Sequence, residues 1–512
     1  MNVLLKLQFS SMQAFKKTLL LSTLPFLAGA FSVLGFAPYY FFPAPVIALL
    51  TLFYCWQHCD TPKQAALCGL LYGVGLFGIG IYWIYISLHV YGNMPGWMAA
   101  LSTFLLAAFL ALFPAVVGGL SKRFAGGQSL RFLLLVAILW GLSDWVRSWI
   151  FTGFPWLTLG YSQIPYSPLA GFIPVIGVYG VSVITVFMAG LLFSLLKKSI
   201  PAACKRGAVV MLVLTLTTGE LLKHVNWTQP SGEPLSVSLL QGNIDQTIKW
   251  APEIAERTLQ QYLAMVEQSR ARLIVLPETA MPVLSSNIPA ELIKRLQNHA
   301  RSNQGDILVG MVERENGEYF NSVLSFGRAE SAIYRKSHLV PFGEFIPFKA
   351  IFGWIYRDWL NMPLSDLSRG SIDQQPMPVA DEKVAVNICY EDVFGEEIIR
   401  QLPTATLLVN VSNDAWYGDS YAADQHLQFS QARALETGRM MLRATNTGAT
   451  AIIDQRGYVT AHAPHFVATA LDGQVQGYSG STPYVLWGNW PFIILSLLGL
   501  ILLLRRKTSV HA

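Results

Sequence analysis

Lys383-Val-Ala-Val-Asn-Ile-Cys-Tyr-Glu391 is a short apolar run that delivers Cys389 to its end. Val384, Val386 and Ile388 alternate with smaller or polar neighbours, and Tyr390, Glu391 and Gly395 follow, so the pattern predicts a buried strand ending in a turn. Two readings of the thiol are open. It is either one more small buried hydrophobe or a nucleophile presented at a strand terminus.

Outward from this stretch, the chain's 512 residues exceed one ordinary domain, and 53% hydrophobic against 13% charged content departs from a soluble protein. The apolar excess lies before about residue 222 and in a last stretch near the end. The composition therefore predicts a membrane bundle over 1–225, a water-soluble domain over 226–482, and a closing helix with a tail over 483–512. A net charge of +5 is modest and its basic residues are accounted for by the connections between spans, so nucleic acid is not indicated as a partner.

Eight spans are expected: Thr18–Ala37, Pro45–Trp56, Ala65–Leu88, Trp97–Leu120, Phe132–Ile150, Gly171–Leu196, Ala208–Leu222 and Trp487–Leu504. The second and seventh are short for a hydrocarbon core of about 30 Å. Connections on one side carry Lys6, Lys16, Lys17, Lys63, Lys122, Arg123, Arg131, Lys197, Lys198, Lys205, Arg206, Arg505, Arg506 and Lys507. Short loops on the other side, 38–44, 89–96 and 151–170, hold no Lys or Arg. That asymmetry puts both termini in the cytoplasm and the soluble domain outside it, in the periplasm of a bacterium with two membranes.

Asp144 and Arg147 stand at helical spacing and are expected to form a structural ion pair facing the bundle. The glycines from Gly69 to Gly80 predict close helix packing. Trp487 and Trp490 fit interfacial anchors, as does the loop Gly153-Phe-Pro-Trp-Leu157, where Trp156 is a candidate lipid contact.

The soluble region alternates strands and helices. Strands are expected at Leu235–Leu240, Leu273–Leu276, Ile307–Val312, Ser322–Phe326, Val384–Ile388, Ala405–Val409 and Ala449–Ile453, with helices at Glu253–Gln268, Ala290–Ser302 and Ala423–Arg439. This is the order of a layered α/β domain. No His or Cys cluster has metal-ligand spacing, and no metal or cofactor is expected.

Of Cys55, Cys59, Cys68, Cys204 and Cys389, the last alone falls in the soluble domain, where it has no disulfide partner. A lone thiol in an oxidising compartment is shielded, used, or both. A nucleophilic thiol also needs a base or a nearby cation. Glu278 follows the apolar Arg272-Leu-Ile-Val-Leu-Pro277, and Lys336 follows Ala332-Ile-Tyr-Arg335. Taken singly, Glu278 also reads as a helix N-terminal acid and Lys336 as a solvated surface charge.

Together, Leu276-Pro-Glu278, Tyr334-Arg-Lys-Ser-His-Leu-Val-Pro-Phe-Gly-Glu344 and Asn387-Ile-Cys-Tyr-Glu391 resemble the Glu, Lys and Cys motifs of the nitrilase superfamily. The long Lys motif inside a chain with eight spans is similar to a membrane-embedded member. So are Gly153-Phe-Pro-Trp-Leu157, Gln241-Gly-Asn-Ile-Asp245, Ser412-Asn-Asp-Ala-Trp416 and Gly488-Asn-Trp-Pro491.

The resemblance implies an α/β/β/α sandwich and a bacterial inner-membrane location. It further implies transfer of a phospholipid acyl chain, chiefly from the sn-1 position of phosphatidylethanolamine, to the α-amino group of a diacylglyceryl cysteine on an apolipoprotein. Cys389 would carry the acyl group as a thioester, Glu278 would move the proton and Lys336 would stabilise the oxyanion. Glu344 would orient Lys336, Tyr390 and Glu391 would shape the turn, and Asn321 and Trp416 would lie near the pocket. His338 reads equally as a satisfied structural histidine.

The aromatic stretch 341–363, with Phe342, Phe345, Trp354 and Trp359, reads either as core or as a lid at the bilayer surface. Two other functions remain open at this point: a membrane-anchored amidase or hydrolase, and a non-catalytic lipid-binding membrane protein.

Overall fold

The computed structural model describes residues 19–125, 127–347 and 366–505. Lys6, Lys16, Lys17, Trp354, Trp359, Arg506 and Lys507 lie outside the described residues. The chain divides into two compact units, one of Met1–Tyr82, Ala100–His224 and Asn489–Ala512, the other of Trp83–Ala99 and Val225–Gly488.

The first unit is helical. Among the described residues, five helices are long and apolar enough to cross a membrane: Pro62–Gly80, Gly96–Phe124, Ser129–Arg147, Pro168–Leu196 and Ala202–Lys223. Three shorter apolar helices, Leu19–Gly35, Pro43–Gln57 and Trp490–Arg505, occupy the other expected spans. The glycines are packing contacts: a Cβ on Gly69 would lie 2.2 Å from the Pro114 carbonyl oxygen, and one on Gly75 would lie 2.1 Å from that of Phe26. Arg147 bonds to Asp144 at 3.1 Å and donates to the carbonyls of Phe154 and Trp156 at 2.7 and 2.6 Å. The buried ion pair therefore shapes the loop that follows its own helix.

One expected span ends early. The helix beginning at Pro62 stops at Gly80, and Trp83–Ile86 starts a separate short helix that runs into a π turn, Ser87–Tyr91. The reason is a tertiary partner, because the Trp83 indole donates to Gln425 Oε1 at 3.1 Å and meets the Tyr417 ring edge-on at 4.7 Å.

Among its described residues the second unit contains two sheets. The first runs in the order β13 (Thr469–Gly480), β1 (Thr228–Gln241), β2 (Leu273–Val275), β4 (Asp306–Glu315), β5 (Glu318–Gly327), β6 (Ile333–Arg335), with β3 (Met281–Leu284) also paired to β4. The second runs β12 (Val459–His462), β11 (Ala451–Ile453), β10 (Met441–Thr445), β9 (Leu407–Ser412), β8 (Glu382–Ile388), β7 (Met377–Val379).

The period-two pattern of β8 sorts its side chains between two cores. Val384, Val386 and Ile388 join Leu407, Val409 and Val411 of β9 and Leu235, Val237 and Leu239 of β1 between the sheets. Ala385 and Leu408 instead face the helix Ala422–Thr437. On the far side, Ile307, Val309 and Met311 of β4 meet the helices Pro252–Gln268 and Ala290–Ser302. The layers are thus helix, sheet, sheet, helix. Each fully buried Val, Leu or Ile contributes about 1.5–3 kcal/mol, and an Asp at Val386 would place an unpaired charge among them and break this core.

The helix expected over Ala423–Arg439 ends at Thr437, since Gly438 takes a left-handed φ of 64° and turns the chain.

Candidate active site

Three strand ends of the second unit converge. β2 leads through Leu276 and Pro277 to Glu278, β6 leads directly to Lys336, and β8 leads directly to Cys389. Their burial follows from that placement: Glu278 is 7% exposed, Lys336 1% and Cys389 6%. Lys336 is therefore no solvated surface charge. Glu278 opens no helix, because the chain continues into β3.

Lys336 Nζ lies 3.3 Å from Glu278 Oε1 and 2.9 Å from Glu344 Oε2. Asn321, on β5, donates Nδ2 to Glu278 Oε1 at 2.7 Å and to Glu344 Oε1 at 2.9 Å. The backbone N–H of Asn413 donates to the other oxygen of Glu278 at 2.9 Å, and that of Val340 to Glu344 at 2.8 Å. Both carboxylates are thereby fixed in position. Burial opposes the Lys336 charge, but Glu344 and Glu278 hold its ammonium well above the usual lysine range. Burial pushes the Cys389 thiol well up and Glu278 adds to this, with Lys336 opposing, so the resting sulfur is protonated.

Glu391 ties two loops together. Its Oε1 accepts from the Ser337 N–H at 2.6 Å, the Ser337 hydroxyl at 2.9 Å and the His338 N–H at 3.0 Å. Its Oε2 accepts from the Ile388 N–H at 2.7 Å and the Tyr334 hydroxyl at 3.0 Å. His338 bonds to Glu397 at 2.9 Å and stacks on Phe394 at 3.8 Å, the satisfied structural arrangement. Tyr390 packs edge-on against Phe394 at 5.1 Å.

Other expected residues are placed as follows. Trp416 is half-buried and meets Tyr91 at 6.1 Å. Phe342 is 42% exposed, and Phe345 lies under the Arg369 guanidinium at 5.2 Å. Trp156, in the first unit, is buried and stacked on Phe154 at 5.5 Å.

Four further features stand beside these residues, and of them only Ser412 and Asp414 lie in a motif that the sequence singles out. Lys249 is 1% exposed and donates to the Thr279 hydroxyl at 2.7 Å, next to Glu278 in the chain. Burial takes its ammonium down to about 8, against the pull of Glu278. Tyr417 lies within electrostatic range of Cys389, Lys336 and Glu278. Ser412 donates its hydroxyl to Asp414 Oδ1 at 2.9 Å. Finally, Asp392, Asp414, His426 and Arg443, all buried, form an ion cluster beside Cys389.

Cys389 Sγ, an Asp414 oxygen and a His426 nitrogen fall within 4.8 Å of one another. The donors do not suit a metal. Both His426 nitrogens bond to carboxylates and the Asp414 carboxylate already meets the Arg443 guanidinium at 2.8 Å, so a further cation would be repelled.

A two-sheet sandwich with an acid, a lysine and a thiol at converging strand ends is the architecture of the carbon–nitrogen hydrolase class, and the family profile described as Carbon-nitrogen hydrolase matches residues 236–484. A second profile, Apolipoprotein N-acyltransferase N-terminal domain, matches residues 28–191. A protein of Nitrosomonas europaea named Apolipoprotein N-acyltransferase is 51% identical over 495 residues, which is 94% of this chain and 98% of that relative. Relatives of the same name from Chromobacterium violaceum and Methylococcus capsulatus are each 42% identical, over 94% and 93% of this chain and 93% and 94% of their own lengths. The chain belongs to the apolipoprotein N-acyltransferase family, membrane acyltransferases of the nitrilase superfamily.

Proposed function

We propose that the chain transfers an acyl chain from the sn-1 position of a phospholipid, chiefly phosphatidylethanolamine, to the α-amino group of a diacylglyceryl cysteine on an apolipoprotein, through a thioester on Cys389. The observation that carries this is the bonding of Lys336 to both Glu278 and Glu344 beside a buried Cys389.

In the first half, Glu278 takes the Sγ proton as sulfur attacks the ester carbonyl. The tetrahedral oxyanion forms beside Lys336. An ammonium has three N–H donors, and with two on the carboxylates the third serves the oxyanion, together with the Tyr390 backbone N–H. As the C–O bond breaks, Glu278 returns its proton to the lysophospholipid alkoxide, leaving the thioester. In the second half the neutral amine attacks that carbonyl and gives a proton to Glu278. The C–S bond then breaks, and sulfur takes the proton back. Asn321 Oδ1, buried and without a partner among the described residues, is an acceptor suited to an amine N–H.

The fourteen-to-none distribution of Lys and Arg supports an inner-membrane protein with cytoplasmic termini and a periplasmic catalytic domain over 226–482. Membrane lipids supply the donor, and the exposed Phe342 is suited to contact them.

Mass spectrometry after incubation with phospholipid, with and without a diacylglyceryl peptide, tests the mechanism. Acyl mass that stays on Cys389 until the peptide arrives is expected. Loss of that mass to water would make the protein a hydrolase, and absence of acyl mass with Cys389 intact would sink the thioester.

A further inference from the structure

Cys389 has a backbone φ of 53°, in the left-handed region that non-glycine residues seldom occupy. Its carbonyl oxygen accepts two side-chain hydrogen bonds at 3.1 Å, one from Asn410 Nδ2 and one from His426 Nε2. Both donors are held from behind. The Arg443 guanidinium donates to Asn410 Oδ1 at 2.7 Å, which turns the Asn410 amide nitrogen toward Cys389.

His426 Nδ1 lies 2.8 Å from Asp414 Oδ1 and Nε2 lies 2.9 Å from Asp392 Oδ1. A bare ring nitrogen facing a carboxylate would be repelled, so both nitrogens carry protons and the ring is an imidazolium. Sheet register builds the arrangement. Asn410 of β9 pairs with Asn387 of β8 and with Arg443 of β10, and the helix Ala422–Thr437 carries His426 above that row.

A planar trans peptide points its C=O and the following N–H in opposite directions. Fastening the Cys389 carbonyl therefore aims the Tyr390 N–H. We infer that His426 and Asn410 are positioning residues that direct the Tyr390 N–H at the oxyanion formed in each half-reaction. This rests on the thioester mechanism proposed above.

The full-length enzyme in detergent would be prepared as wild type, His426→Gln and Asn410→Asp, and Cys389 would be challenged with phospholipid and, separately, with iodoacetamide. Alkylation displaces iodide at a tetrahedral carbon and forms no oxyanion. Both variants are expected to load acyl chain about 100-fold more slowly at an unchanged KM for phospholipid, with alkylation changed by less than about twofold.

An equal fall in acylation and alkylation would assign the pair to thiol placement and overturn the inference. So would unchanged acylation, or failure of both variants to fold. A wild-type enzyme that takes up no acyl mass would instead overturn the thioester mechanism.

Discussion

Asn321 gives its one amide nitrogen to two carboxylates, 2.7 Å from Glu278 and 2.9 Å from Glu344. Without it, two buried negative charges share a single ammonium across a space that Asn321 now bridges. Asn321→Ala is expected to slow single-turnover acyl loading by more than about tenfold and to lower stability by about 1–3 kcal/mol. Quenched-flow mass spectrometry and thermal melts check the two effects. Normal loading in a destabilised variant would show Asn321 to be structural only.

Removing one carboxylate from Lys336 has a definite sign. Glu344→Gln takes away the leading attraction that raises the Lys336 ammonium, so the variant's lysine loses its proton at lower pH. The alkaline limb of the acyl-loading profile should therefore move toward neutral pH relative to wild type. A pH-rate series on both proteins decides it, and an unmoved limb contradicts the prediction.

Cys389→Ala should form no acyl-enzyme, since it removes the sulfur that would carry the acyl group. Cys389→Ser is expected to form only a trace of oxyester. The alanine variant, still able to bind phospholipid but not to react, is the control for every loading assay. Acyl mass on the alanine variant would place the intermediate elsewhere.

Lys249 is a buried amine with one hydroxyl partner among the described residues. Its folded-state value of about 8 lies below the ordinary 10.5. Its cost to stability is therefore full below pH 8 and vanishes above 10.5. Lys249→Met should raise the melting temperature at pH 7, by an amount that shrinks as the pH rises toward 10.5. A lower melting temperature at pH 7 would mean that the amine is paired more strongly than its single bond implies.

His426 has the opposite sign. Burial and Arg443 both oppose its charge, yet Asp392 and Asp414 take it from 6.5 up to about 9. The stabilisation, on the order of 3 kcal/mol, is full below 6.5 and is lost as the pH rises through 9. His426→Gln should flatten the stability curve of the full chain between those values. An unchanged slope would show that the imidazole does not titrate there.

The strands that fill the space between the sheets were legible because their side chains obey a period of two and meet only other apolar groups, as Val384, Val386 and Ile388 do. The acid and the thiol could be found because each follows such a run, whereas Lys336 follows a short strand with an exposed Ile333 and was legible only through the longer motif Tyr334–Glu344. β10 was hidden by Arg443, a charge in a buried strand that is tolerable only because Asp392 and Asp414 stand against it from distant positions. β13 alternates Asp472 and Gln474 with glycine at a sheet edge, so it offers little apolar signal. The break after Gly80 depends on Tyr417 and Gln425, over three hundred residues away.

The single carboxylate of Glu391 holds the backbone after the lysine and the backbone before the cysteine at once. The segments that carry Lys336 and Cys389 are therefore joined through one side chain. In the proposed transfer, lipid donor and peptide acceptor would each meet both groups as one linked unit.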